Sequence, residues 1–195
     1  MANKDDRRVL YTKMFLREAL LNLMQEKPVD RITPTELCRA ANINRNTFYA
    51  HYYTVRDVLD EIEKEFSIRL FASLKPLFSA DNMDLSVVLR EVFNIVYEQK
   101  EFCKILLSDN GDAAFFEQLI SQGKPFILNG WKANGLRLGE EDAEMFFAFV
   151  VSGSIALMQE WAAKDMREPP EKVAKLLECA SNSSLNGMIA YSAEE

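Results

Sequence analysis

The stretch ITPTELCRAANINRNTFYAHY, residues 32–52, constrains this chain more than any other. Thr33 is a good N-cap, Pro34 suits the first helical position, and Glu36 completes a Thr-x-x-Glu capping box. A helix therefore starts here, with Leu37, Ala40 and Ala41 on its inner face. Only three residues, Asn42-Ile43-Asn44, separate it from the next helix. Asn42 is one of the few non-glycine residues that tolerate a left-handed backbone, Ile43 plugs the gap between the helices, and Asn44 caps the second. That second helix, 45–52, turns Phe48 and Tyr52 inward at i, i+4 and leaves Arg45, Asn46, Thr47, Tyr49 and His51 outside. Upstream, Leu16, Ala19, Leu20, Leu23 and Met24 form one apolar stripe on a helix that Pro28 should end.

Two short helices joined by a tight turn, the second polar at its start, meet a specific demand. The major groove of DNA admits one helix, and the N-terminal residues of that helix reach the base edges. Arg45 suits guanine, Asn46 suits adenine, and Thr47 can offer a methyl group to thymine. Asn44, the cap, belongs to the same surface. Thr33 and Thr35 stand at a helix N-terminus, where backbone N–H groups favour a phosphate. Arg7, Arg8 and Lys13 are further candidates for backbone contacts.

The order of these residues resembles the helix-turn-helix of tetracycline-repressor (TetR) family regulators. That pattern runs Thr-x-x-x-Ile-Ala-x-x-Ala-Gly-Val-Ser, then Phe/Leu-Tyr-x-His/Tyr-Phe. Thr33, Leu37, Cys38, Ala41, Asn42, Ile43, Asn44, Phe48, Tyr49, His51 and Tyr52 stand at its positions. The resemblance implies phosphate contacts from Tyr49 and His51. It also implies a double-stranded DNA operator of palindromic form, read by a homodimer whose recognition helices lie about 34–36 Å apart. Three positions depart from the pattern: Asn42 replaces the turn glycine, Tyr52 replaces a phenylalanine, and Val55 replaces a phosphate-binding lysine. Arg56 beside it is the expected substitute cation, and an aliphatic residue there resembles a subgroup common in Gram-positive bacteria. A buried Tyr52 needs a partner for its hydroxyl.

Charge distribution is compatible with this reading. Residues 1–59 hold ten basic and seven acidic side chains, a net of +3, and the remaining 136 residues carry −10, making the −7 of the whole chain. Only charges within about a Debye length of the DNA count strongly, so an acidic body does not forbid a DNA-binding head. The first residues, MANKDDRRVL, lack the apolar core of a secretory signal. No apolar run approaches a membrane span, the richest being Met145 to Leu157, so no membrane partner and a cytoplasmic location are expected. Cys38, Cys103 and Cys179 are odd in number and far apart, as in a protein with reduced thiols.

The expected fold class is all-α: a three-helix DNA-binding head at 1–54 and a helical effector-binding and dimerisation body at 55–195. Helix 4 should run from 55 to 78. Further helical blocks follow near 85–98, 102–107, 113–132, 141–164 and 170–188. Breaks fall at Ser79-Ala80-Asp81-Asn82, Asn110-Gly111, Asn134-Gly135 and Glu168-Pro169-Pro170. FFAFVVSGSIALMQEWAAKDMREPPEKVAKLL resembles the family's final helix pair, which implies a four-helix subunit contact through Phe149, Gly153, Leu157 and Trp161. The family's usual effector site between the fourth and eighth helices implies a small-molecule pocket among Phe66, Phe93, Tyr97, Phe115, Phe126, Trp131 and Phe147.

No cofactor is expected. His51 is the only histidine, so the body holds no histidine-based metal site. There is no Gly-rich phosphate loop, HExxH, Cys/His pair or G-x-S-x-G, so no enzyme is expected. Glu140-Glu141-Asp142 read as a helix N-terminus complementing its dipole. The reading that follows is a sequence-specific, ligand-responsive transcriptional regulator, expected to repress. The alternative is a family member that has lost DNA binding and serves as a co-regulator or ligand sensor.

Overall fold

The computed structural model of the protein describes residues 4–78 and 84–193; the expected break at 79–82 lies outside the described residues. Within them the secondary structure is helical: α1 (Lys4–Met24), a short 3-10 turn (Val29–Arg31), α2 (Pro34–Ala40), α3 (Arg45–Tyr49), α4 (Val55–Phe78), α5 (Leu85–Glu98), α6 (Lys100–Leu106), α7 (Ala113–Ala133), α8 (Glu140–Ala163) and α9 (Pro170–Tyr191). The all-α expectation holds.

The head is built around Leu16, Leu20 and Met24 of α1, Leu37 of α2 and Phe48 of α3, all fully buried. Val58, Leu59 and Ile62 of α4 close this core from below. Each such side chain contributes roughly 1.5–3 kcal/mol on leaving water, which is why a five-residue helix like α3 persists without internal stability of its own. The same core continues along α4 into the body through Phe66, Phe93 and Phe102. Head and body therefore share one apolar spine.

In the body α9 packs along α5, and a second apolar cluster of Trp131, Phe146, Phe147 and Leu185 ties the end of α7 to α8 and α9. Its helices stop within a residue of the expected ends, except α9, which continues to Tyr191. Gly135 takes φ +100° after α7, and the Leu136 N–H reaches back to the Trp131 carbonyl at 3.0 Å. Gly111 has no alternative, because a Cβ there would stand 2.4 Å from the Leu106 carbonyl oxygen.

α8 is long and apolar enough to cross a membrane by length and composition, with a mean hydropathy of 1.4 over its best 18-residue window. Only 17% of that window is buried within the chain. Its acidic residues lie toward the two ends, Glu140, Glu141, Asp142 and Glu144 at the start and Glu160 near the close.

Candidate nucleic-acid interface

The expected capping box forms at the start of α2. The Glu36 N–H donates to Thr33 Oγ1 at 3.3 Å, and the Thr33 N–H donates to Glu36 Oε2 at 3.5 Å. Lys27 holds the same Glu36 carboxylate at 2.6 Å, and that bond keeps the carboxyl below its ordinary pKa. Asn42 adopts φ 54°, the left-handed conformation that the missing turn glycine requires. Asn44 Oδ1 then accepts the Asn46 N–H at 2.8 Å and starts α3.

On α3 the fully buried Phe48 serves as the anchor, and the opposite face is presented outward. Arg45 and Asn46 are exposed and Thr47 is half-buried. Tyr49 is 45% exposed, with the Arg45 guanidinium 5.9 Å from its ring centroid. Thr33, Thr35 and Asn44 are exposed on the same head. α3 is shorter than expected, so the half-buried His51 lies in the turn after it. It joins Asn46, Thr47, Arg8 and Thr12 along a shallow groove of about 350 Å³ between α3 and α1. An exposed polar first turn, held on an apolar peg and flanked by a groove with a cation, can enter a DNA groove without rearrangement.

The α2–α3 unit is joined to α4 by capping. Thr54 and Asp57 cap α4 reciprocally, with the Thr54 N–H on Asp57 Oδ2 at 2.9 Å and the Asp57 N–H on Thr54 Oγ1 at 3.2 Å. The Tyr53 N–H joins the same carboxylate at 2.7 Å, which leaves the Tyr53 ring almost fully exposed.

Arg56, expected as a phosphate contact, points elsewhere. It pairs with Asp60 at 2.6 Å, with Glu63 at 3.4 Å, and with Asp112, the residue that caps α7. A guanidinium shared among three carboxylates has little charge left to offer DNA. The burial of Asp112 would raise its pKa, but Arg56 and the α7 N–H groups outweigh that and hold it low. Val55 is buried, consistent with its aliphatic character.

A family model for the TetR_C_8 transcriptional regulator C-terminal region matches residues 84–182, about half the chain. This chain belongs to the TetR family of transcriptional regulators. Over 167 residues it is 20% identical to an uncharacterized HTH-type transcriptional regulator, YxbF, of Bacillus subtilis (strain 168). That match covers 82% of this chain but only 42% of the relative, so the chain spans about two-fifths of that curated relative's length. Two solved structures share the fold: a TetR transcriptional regulator from Streptococcus agalactiae 2603V (TM-score 0.65, 21% identity, 91% of this chain and 97% of that one) and the fatty acid degradation regulator FadR from Bacillus halodurans (TM-score 0.68, 13% identity, 91% and 96%). The likeness thus spans the head as well as the body that the family model matches.

In this TetR-family body the aromatic residues expected to line one pocket divide between two core clusters, Phe66, Phe93 and Phe115 in the larger and Trp131 and Phe147 in the smaller. Phe66 and Phe115 pack with Phe102, the Phe66–Phe102 centroids being 5.2 Å apart. Phe93 and Tyr97 lie against Trp161, while Trp131 and Phe147 pack together with Phe146. Phe126 is partly exposed on α7. The residues expected at the subunit contact divide too. Phe149 is 66% exposed, Gly153 is exposed with open space where a Cβ would be, and Leu157 is half-buried. Trp161 is 4% exposed within the single chain, and its Nε1–H donates to the Glu168 carbonyl at 3.0 Å. It belongs to the subunit's own core, because the turn after α8 folds back over it.

Proposed function

We propose that this TetR-family regulator binds a palindromic DNA operator sequence-specifically as a homodimer and that a small-molecule effector controls it. The observation that carries the reading is the first turn of α3: Arg45, Asn46 and Thr47 stand outward on a helix capped by Asn44 and pinned by the fully buried Phe48. Tyr49, His51, Thr33 and Thr35 surround it as phosphate partners, whereas Arg56 is excluded by its carboxylates. Phe149, Gly153 and the exposed Met145 on α8, with Leu176 on α9, supply an apolar face for a second copy. Repression follows where the operator overlaps a promoter, and a cytoplasmic location goes with the role. A solved neighbour of 15% identity is named a dihydroxyacetone kinase operon activator, so the fold alone does not set the sign.

Selection of bound duplexes from a random library tests this. A recovered palindrome, with Arg45→Ala costing about 1–3 kcal/mol on it and less on random DNA, is the expected result. Equal losses on both would remove base readout. A second reading, a ligand sensor that has lost DNA binding, is favoured by the buried Val55 and the neutralised Arg56. A salt titration without any measurable affinity slope would establish it instead.

A further inference from the structure

Where head meets body, α4 and the start of α7 enclose an open cleft of about 430 Å³, within the size range of small-ligand sites. Its walls carry three carboxylates, Asp60, Glu63 and Asp112, against two cations, Arg56 and Lys64. Arg56 is already paired with all three acids. The excess charge is negative.

Glu63 is the anomaly. Its side chain is only 7% exposed, its Oε2 lies 3.4 Å from Arg56, and its Oε1 is buried without a hydrogen-bond partner. A buried, unpaired carboxylate oxygen is costly, and native structures rarely leave one without a use. Two things can satisfy it: a proton, directed toward Asp112, or a donor brought from outside. The acids do not gather as metal ligands, since no such group of three occurs among the described residues. Phe115 and the exposed Ile68 give the cleft an apolar wall beside the acid.

We propose that this cleft binds a small organic cation, an ammonium or amidinium on an apolar body, whose N–H donates to Glu63 Oε1 while the body lies over Phe115 and Ile68. The cation contributes the donor that Glu63 lacks and cancels the excess negative charge of the walls. Because α4 carries the head and Asp112 caps α7, the ligand sits across the Arg56–Asp112 pair that joins the two. Only this consequence for DNA rests on the regulatory reading. Burial pushes the Glu63 carboxyl up to about 7, with Asp112 and Asp60 adding to it against Arg56, so a proton competes with the ligand near neutrality.

Benzylammonium chloride is the probe, titrated calorimetrically into the full chain without DNA. Saturable binding at millimolar concentrations is expected, about tenfold or more weaker in Glu63→Gln and weakening in the wild type as pH falls below about 7. Benzyl alcohol, with the same ring and no charge, should not bind. Glu63→Gln removes a buried charge and should remain folded. If its unfolding shows otherwise, the wild-type pH profile and the benzyl alcohol comparison decide. No saturation, equal binding in Glu63→Gln, or equal binding of the alcohol would overturn the proposal and leave the DNA-binding reading untouched.

Discussion

The Tyr52 hydroxyl donates to Glu61 Oε2 at 2.9 Å, and Lys13 Nζ reaches the same carboxylate at 2.9 Å. One acid on α4 thus ties the turn after α3 to α1, with Lys13 also 5.5 Å above the Tyr52 ring. Burial and the Glu61 bond both push the Tyr52 phenol up. Burial also works to raise Glu61, but its bonds to Lys13 and Tyr52 prevail and keep it ionised. Tyr52 departs from the family pattern, and Glu61 is the partner that its hydroxyl needed. Tyr52→Phe should lower stability by about 1 kcal/mol in urea unfolding, since Lys13 still satisfies Glu61. An unchanged midpoint would show that the hydroxyl contributes nothing.

Tyr49 presents its ring to solvent under Arg45. Removing its hydroxyl with Tyr49→Phe should weaken binding to operator and random DNA alike, as loss of a phosphate contact does, with the melting temperature unchanged. A lower melting temperature with intact affinity would instead assign Tyr49 to the head core.

Gly153 meets no atom of its own chain within 4 Å of an added Cβ. Gly153→Phe therefore starts from open space on its own chain, and a second copy packed on this face would meet the ring. Sedimentation should show a wild-type dimer converted to monomers of unchanged helicity. A monomeric wild type at micromolar concentration would refute the α8–α9 contact.

Glu63 also makes stability depend on pH. Its folded pKa of about 7 exceeds the ordinary 4.5, so the fold favours the protonated acid. That contribution is fully present below pH 4.5 and is lost as pH rises through about 7, where the carboxylate must ionise inside the protein. The difference is on the order of 3 kcal/mol. Glu63→Gln should therefore match the wild type at about pH 4 and exceed it at about pH 8.5. Urea unfolding at both values, in a His51→Gln background that removes the sole imidazole, checks this; parallel profiles would reject it.

The capping box at Thr33 and Glu36, the left-handed Asn42, the Asn44 cap and the bounds of α4 were legible because each depends on a few consecutive residues. Caps and turns act within one helical turn, so local order in the chain carries them. The inward position of Phe48 follows equally from spacing along one helix.

The sequence by itself determined the all-α class, the short α2–turn–α3 unit and which of its side chains face outward, since helical period and capping chemistry are local. Only the tertiary structure decided what crosses between distant elements. It took Arg56 from the expected phosphate surface to Asp112, turned Trp161 into the subunit core, and parted the aromatic residues expected in one pocket. An ion pair between residues 56 positions apart, or the desolvation of Glu63 beneath it, arises only when packed helices bring those groups together and exclude water.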